Sequence, residues 1–366
     1  MLNRRILRVK VMQALYALKQ SEVSNYYGGL EYITEVFTPD LNANEVQDVK
    51  KLEANKKLAS TYYEEYFLSG KKDYQDEVPE IVNAVNQAIA DQDKKTGKDK
   101  KHFGKLLMNE VDRIYDLYLL LLRLPVDLSD FSDQQKIKTR NILAGNSILN
   151  LIAANKELNA RSAWDHSALS TIYKLMKEDK DLAEPKPKTL EEEQKIVSQI
   201  YKIVLKDKDL MSFFEDRDLN WAENRSIVKN LVLKTIKAIE EKDTSLNLLA
   251  LSTNWEEDKD FFKELYDKTI AGDKELEQVV TEKVKNWDIE RVAVLDRVIL
   301  KLAISEMMNF SSIPVKVTIN EYIELSKLYS TPKSKQFING ILDSASVELL
   351  KSGRIRKSGR GLIDNK

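Results

Sequence analysis

The chain has 366 residues, no cysteine, and charged residues at 32% of positions that nearly cancel to a net charge of −1. The lack of cysteine excludes disulfides, thiolate metal sites and cysteine nucleophiles, and the balanced charge says nothing about partners. The length predicts two or three domains, and no apolar run is long enough to span a bilayer, so we expect a soluble cytoplasmic protein without a membrane segment.

The first predicted helix covers residues 4–18 and is basic along one flank. A buried face is formed by apolar residues at helical spacing, namely Leu7, Val11, Ala14 and Leu18. The neighbouring flank carries Arg5, Arg8, Met12, Tyr16 and Lys19. Guanidinium groups beside a tyrosine ring suit single-stranded RNA, because phosphates meet the cations and an unpaired base can stack on the ring. A half-buried packing role for Tyr16 is the alternative.

Residues 22–254 give no chemical signal and are predicted to form additional helices. An apolar, leucine-rich helix is expected over residues 103–124 and is predicted to end before Pro125. The polar stretch 91–101 is predicted to be a mobile loop, because it has almost no apolar side chain. Whether this region is a second lobe on one core or a separate bundle stays open.

Residues 292–308 are predicted to form a helix inside a bundle. Apolar residues occupy almost every position, and the polar ones collect on one narrow stripe, formed by Arg297, Lys301 and Ser305 with Asp296 beside it. Pro314 then requires a turn, and Thr318 with Glu321 three residues later predicts the start of the next helix. A last helix follows Ser334, where Gly340 would allow another backbone to approach closely.

Enzyme chemistry finds no support in the sequence. The two histidines, His102 and His166, have no nucleophile or metal ligand placed beside them, and Asp165 is next to His166 only in sequence. Glycine-rich nucleotide loops are also missing from the sequence. We therefore predict a protein that is not an enzyme and that needs no cofactor or metal.

Two parts of the chain resemble the NusB family of bacterial transcription antitermination factors. They are the string "RRILRVKVMQALYAL" near the start and "VKNWDIERVAVLDRVILKLAISEM" followed by "IPVKVTINEYIELSKLYSTPKSKQFINGILD" near the end. The resemblance covers roughly residues 1–21 and 256–350. It implies an all-α, NusB-like helical bundle with a first helix at 1–21, a helical insertion at 22–254, a core at 255–350 and a basic flexible tail at 351–366.

The resemblance also implies site residues. In that family the arginine-rich first helix and the segment before and including the phenylalanine of the final helix bind the boxA RNA element, which implies RNA contacts here for Arg4, Arg5, Arg8, Tyr16, Lys333, Lys335, Gln336 and Phe337. An acid near the polar edge of the buried helix binds NusE, a small-subunit ribosomal protein, which implies partner contacts for Asp296 and Lys301. The alternatives are a core position for Phe337 and a simple ion pair for Asp296 and Lys301.

Three hypotheses follow for the function. The principal one is an RNA-binding antitermination factor that holds a boxA-like single-stranded RNA and NusE, with other elongation factors, to keep transcription of ribosomal RNA operons processive. The rival is a protein–protein adaptor that uses the NusB-like core as scaffold and the insertion as interaction module. A homodimer built on the apolar run 117–124 is a third hypothesis, because an apolar surface must be covered.

Overall fold

The fold is all-α. The computed structural model describes residues 2–40, 42, 46–72, 78–134, 143, 145–159, 164–182, 187–284 and 292–365. Within these ranges the chain forms 14 α-helices and two 3-10 helices and contains no strand, which confirms the predicted fold class. None of the helices in the described residues combines the length and the apolar character that crossing a bilayer requires.

The helix bounds are as follows. The first seven helices are α1 Arg4–Val36, α2 Val49–Ser69, α3 Pro79–Gln134, α4 Ser147–Ala154, α5 Lys156–Asn159, α6 His166–Glu178 and α7 Leu190–Val204. The other seven are α8 Asp209–Glu215, α9 Trp221–Lys237, α10 Trp255–Ala271, α11 Asp273–Val284, α12 Val294–Asn309, α13 Val315–Tyr329 and α14 Ser334–Lys351. The 3-10 helices are Lys180–Leu182 and Gly359–Asn365.

The chain divides into two compact units. The first unit comprises Met1–Ile6 and Met108–Asp260, and the second comprises Leu7–Leu107 and Phe261–Lys366. Helix α1 continues to Val36, well past residue 21, where the sequence predicts the first helix to end.

Aromatic rings fill the core of the first unit. Trp164 stacks on Phe213 with ring centroids 4.5 Å apart, and Phe214 stacks on Trp221 at 4.2 Å. The apolar run 117–124, considered above as a dimer surface, is almost wholly inside this core, since six of its residues, Leu117, Tyr118, Leu119, Leu121, Leu122 and Leu124, are at most 3% exposed. The first unit itself covers the surface that motivated the dimer hypothesis.

Helix α3 passes through Pro125, so the helix end predicted before this residue is wrong. The helix continues to Gln134, and Leu128 and Phe131 are buried beyond the proline. Proline removes one hydrogen-bond donor from a helix at a cost of about 3 kcal/mol. Burial of two large apolar side chains, at about 1.5–3 kcal/mol each, offsets that loss.

Helix α12 lies at the centre of the second unit. It packs against α11, α13 and α14, and its side chains from Val298 to Met307 are all buried. This confirms the predicted helix inside a bundle. Of the polar stripe predicted along it, Asp296, Lys301 and Ser305 are also buried, so these side chains need partners within the protein, whereas Arg297 is partly exposed.

A smaller cluster in the second unit joins the end of α1, α2 and the start of α3. Ile33, Tyr63 and Val85 are fully buried in it. Gly29 is required there, because a Cβ at that position would lie 2.1 Å from the Tyr63 hydroxyl oxygen. These helices belong to the region predicted as an insertion.

The prediction of a mobile loop over residues 91–101 is wrong, because the whole stretch lies within α3. Side chains of α1 hold it in place: the Ser21 hydroxyl and the Asn25 amide donate to the Asp99 carboxylate at 2.6 and 2.8 Å. The Tyr266 hydroxyl donates to the Lys100 carbonyl at 2.9 Å. Polar composition predicted disorder, whereas contacts from distant parts of the sequence fix the segment as helix.

Candidate RNA interface

Arg8 lies in the core of the second unit and is 3% exposed. Its guanidinium makes a bidentate pair with Glu306, with both N–O distances 2.7 Å. Glu306 also accepts from the Thr318 hydroxyl at 2.9 Å and the Tyr322 hydroxyl at 3.1 Å. Burial by itself lowers the pKa of Arg8, but the hydrogen bond and charge of Glu306 outweigh it and raise the pKa, so Arg8 stays charged.

Two predictions change because of this cluster. Thr318 does not cap a helix: α13 begins at Val315, and the Thr318 hydroxyl points to Glu306 from within the helix. Arg8 was predicted to contact RNA, but its guanidinium is buried and fully engaged by a carboxylate. We therefore replace its RNA assignment with a structural one, because a buried charge is tolerated only when it is paired.

Arg4 and Arg5 belong to the first unit and differ in environment. The Arg4 guanidinium contacts Glu257 at 2.5 Å and Asp258 at 2.9 Å, so two carboxylates offset its charge. Arg5 is exposed. Of the two, Arg5 has more of its surface open to an external phosphate, because Arg4 is only partly exposed.

Tyr16 is 39% exposed on α1 in the second unit. Its ring is therefore on the surface, and the alternative of a half-buried packing residue describes it only in part. A ring exposed to this degree can accept a stacked base while its remaining surface packs against the protein.

The turn that precedes α14 presents a basic and aromatic surface. Lys333, Lys335 and Gln336 are exposed, and Phe337 is half-buried. Lys333 is the N-cap residue of α14 and its side chain makes no capping hydrogen bond. A helix N-terminus favours anions through its amide groups and its dipole, so this turn combines three features that suit a phosphate and a neighbouring base.

Asp296 holds this turn from the protein side. It is 5% exposed, and its carboxylate accepts from the Ser330 hydroxyl at 2.5 Å and from the Ser334 hydroxyl at 2.6 Å. Ser330 follows α13 and Ser334 begins α14, so one carboxylate on α12 fixes both ends of the turn. The partner contact predicted for Asp296 is replaced by this positioning role, because the side chain is not on the surface.

Lys301 is likewise buried, at 4% exposure, and pairs with Asp273 at 2.7 Å and Glu277 at 2.6 Å. Lys19 lies 3.5 Å from Asp273, and Arg297 contacts Glu277. Burial tends to raise the pKa of both carboxyls, but the surrounding cations lower it below the usual value, so the network is charged at neutral pH. The partner contact predicted for Lys301 is replaced by this internal ion-pair network.

Gly340 and the last residues also differ from expectation. A Cβ at Gly340 would meet nothing within 4 Å, so close helix packing does not explain this glycine. The segment 351–366, predicted as a flexible tail, packs against the second unit through the buried Ile355 and a hydrogen bond from the Ser358 amide to the Ser311 carbonyl at 3.0 Å. Its basic residues are partly engaged as well, since Arg354 pairs with Glu275.

The sequence did not predict the central role of Glu306. A glutamate within an apolar helical face was the available signal, because such a position requires a buried cation or hydroxyl donors. The identity of those partners could not be deduced from the spacing, since Arg8 is 298 residues away along the chain.

Comparison with known proteins relates part of the chain to one protein family. Residues 222–346, which run from α9 into α14, match the family model described as the NusB family. No solved structure matches the chain significantly.

Curated relatives match the same part of the chain. The transcription antitermination protein NusB of Salinibacter ruber is 39% identical over 98 residues, which are 27% of this chain and 61% of that protein. That of Chloroherpeton thalassium is 40% identical over 98 residues, 27% of this chain and 46% of that protein. That of Oleidesulfovibrio alaskensis is 44% identical over 87 residues, 24% of this chain and 56% of that protein. The chain thus spans about half the length of these relatives.

Proposed function

We propose that this chain is a non-enzymatic transcription antitermination factor that binds a boxA-like single-stranded RNA. The proposed protein partner is NusE, together with other elongation factors, and the proposed consequence is processive transcription of ribosomal RNA operons. The NusB-family domain at residues 222–346 and the names of the curated relatives support this proposal.

The observation that carries the proposal is the turn before α14. Two exposed lysines, Lys333 and Lys335, lie beside the half-exposed ring of Phe337, and Asp296 fixes the turn through two serine hydroxyls. A preorganised site loses less conformational entropy on binding than a mobile loop does. Phosphates would meet the lysines and the amides at the start of α14, while Phe337 would stack on one base.

The remaining predicted residues take different roles in this proposal. Arg5 and Tyr16 stay as RNA contacts because both are exposed, and Gln336 stays as a hydrogen-bonding group beside Phe337. Asp296 acts as a positioning residue, and Lys301 keeps α11 and α12 together through its two carboxylate partners. NusE would therefore meet residues other than Asp296 and Lys301.

The double variant Lys333→Ala/Lys335→Ala tests the proposal. If each lysine contacts one phosphate, the slope of log affinity against log salt should fall in magnitude by about 1.4, at about 0.7 for each contact with a single strand. The measurement is fluorescence anisotropy of a labelled boxA-like RNA at several salt concentrations.

The matched control is Lys195→Ala/Lys242→Ala, which removes the same charge from two lysines of the first unit whose side chains are 71% and 81% exposed. This control should retain the wild-type salt slope. Equal slopes for wild type and Lys333→Ala/Lys335→Ala would remove the turn before α14 from the RNA surface.

A further inference from the structure

An exposed stripe runs along α1 beyond Tyr16. It consists of Tyr16, Gln20, Val23 and Tyr27, which follow one another at spacings of four, three and four residues and so share one face of the helix. Tyr27 is 63% exposed and Val23 46%. At a rise of 1.5 Å per residue, the stripe extends for about 16 Å from Tyr16 to Tyr27. The tyrosines at its two ends are large rings, of which Tyr27 is largely exposed and Tyr16 partly exposed.

Helix α3 lies against α1 beside this stripe. The Ser21 and Asn25 side chains donate to Asp99, and a Cβ placed on Gly28 would lie 3.7 Å from the Lys95 ammonium nitrogen. Residue numbers rise along α1 from Ser21 to Gly28, whereas the residues of α3 that they contact fall from Asp99 to Lys95. The two helices are therefore antiparallel here. Ser24 and Gly28 lie on α1 between the stripe and α3 and have little or no side chain, so the surface between them is low; we call it the groove between α1 and α3.

The α3 wall of this groove is basic. Lys95, Lys98 and His102 recur at spacings of three and four and therefore share the flank of α3 next to Gly28, and all three are exposed. This is the stretch whose composition suggested a mobile loop. As a helix, it arranges the same lysines in a fixed row.

The acidic residues near this basic row either make contacts within the protein or lie beyond the end of the row. Asp99 is held by Ser21 and Asn25, and these hydrogen bonds lower its pKa. Asp93 faces Tyr66 of α2, with which it is hydrogen-bonded. Asp91 on α3 and Glu31 on α1 lie beyond Lys95 and Tyr27, so they bound the basic stretch at one end.

We propose that the groove between α1 and α3 is a second surface for single-stranded RNA, which continues the path of the RNA from Tyr16 to Tyr27. The proposal rests on the proposed function for the identity of the ligand and for the first contact at Tyr16. Lys95 and Lys98 meet phosphates, and Tyr27 stacks on a base. The length of the stripe accommodates about five nucleotides at a stacked rise of 3.4 Å.

Charge and shape favour RNA over a protein segment. An amphipathic helix would need a continuous apolar groove with anchors at helical spacing. Here the floor is formed by small side chains, one wall is cationic, and the two exposed rings are about 16 Å apart, with Gln20 and a single apolar residue, Val23, between them. Base stacking tolerates such separation, because each base binds one ring and the backbone follows the cations.

The test compares two labelled RNAs with the full chain: a boxA-like oligonucleotide and the same oligonucleotide extended at either end by six uridines. The extension that follows the groove should raise the affinity by about 5- to 150-fold, the effect of one stacked base. Lys95→Ala/Lys98→Ala and Tyr27→Ala should each reduce this gain and leave the affinity for the short RNA unchanged. The control Lys50→Ala/Lys51→Ala, at exposed lysines around the start of α2, should keep the gain.

The outcomes separate this inference from the proposed function. Binding of the short RNA with no gain from either extension would overturn the inference alone. Binding of only an extended RNA, lost in Lys95→Ala/Lys98→Ala, would support the groove and contradict the site before α14. Binding of a labelled oligoglutamate that the same variant abolishes, without any gain from the RNA extensions, would assign the groove to an acidic protein segment and overturn the inference.

Discussion

Replacing Arg8 with methionine is expected to lower the free energy of unfolding by about 3–5 kcal/mol, because the Glu306 carboxylate is then buried without its cation. Glu306 is 0% exposed, and after the substitution its carboxylate keeps, among the described residues, only the Thr318 and Tyr322 hydroxyls as hydrogen-bond donors within 3.1 Å. The measurement is urea denaturation followed by circular dichroism, with the transition of the second unit compared between variant and wild type.

The double variant Arg8→Met/Glu306→Gln serves as the control. It removes both charges but keeps an amide oxygen that can accept from Thr318 and Tyr322, so most of the lost stability should return. The result that contradicts the account is an Arg8→Met protein that is as stable as wild type and has a weaker salt dependence of RNA binding. Such a protein would make Arg8 an RNA contact, as its position in the basic first helix suggested.

Replacing Phe337 with alanine is expected to weaken binding of a boxA-like RNA by about 5- to 150-fold, equivalent to one base stack of about 1–3 kcal/mol. Phe337 is half-buried at the start of α14, with exposed Gln336 beside it. Its ring can therefore provide one face to a base. The measurement is the dissociation constant at one fixed salt concentration.

Because Phe337 is partly buried, alanine could also loosen α14. Phe337→Leu keeps an apolar side chain for packing but has no aromatic face. Both variants should lose RNA affinity if the ring stacks on a base. Wild-type affinity in Phe337→Leu, together with a loss in Phe337→Ala, would instead show that Phe337 acts only through packing.

Local periodicity was sufficient to predict α12 and its burial, because its apolar positions cover almost the whole circumference of the helix. Periodicity could not predict which groups would satisfy its polar residues. Glu306 pairs with Arg8 from α1, and Lys301 pairs with Asp273 and Glu277 from α11. Long-range contacts of this kind depend on the packing of several helices and leave no mark in the spacing.

The two errors in α3 have a common cause. Composition suggested a loop at 91–101, and Pro125 suggested a helix end, since both signals report local preference. In the structure, Asp99 within 91–101 accepts hydrogen bonds from side chains of α1, and Leu128, which follows Pro125, is buried. Tertiary contacts outweigh local preference in both places. The error at 91–101 also concealed that Lys95 and Lys98 share one flank of α3.

The residues predicted to contact RNA or a protein partner differ in exposure. Lys333, Lys335 and Gln336 are exposed, as an RNA surface requires, whereas Arg8, Asp296 and Lys301 are buried. A charged residue on the edge of an apolar helix has the same sequence pattern whether it is exposed to a partner or buried in an internal ion pair. Only the positions of its partners distinguish an external contact from a buried pair.

The most direct test of the account is a titration of a labelled boxA-like single-stranded RNA with the full chain, with and without NusE, against a scrambled RNA of the same length. The account predicts salt-sensitive binding that favours the boxA-like RNA and becomes tighter in the presence of NusE. Equal, weak binding of both RNAs at low salt, unchanged by NusE, would contradict it.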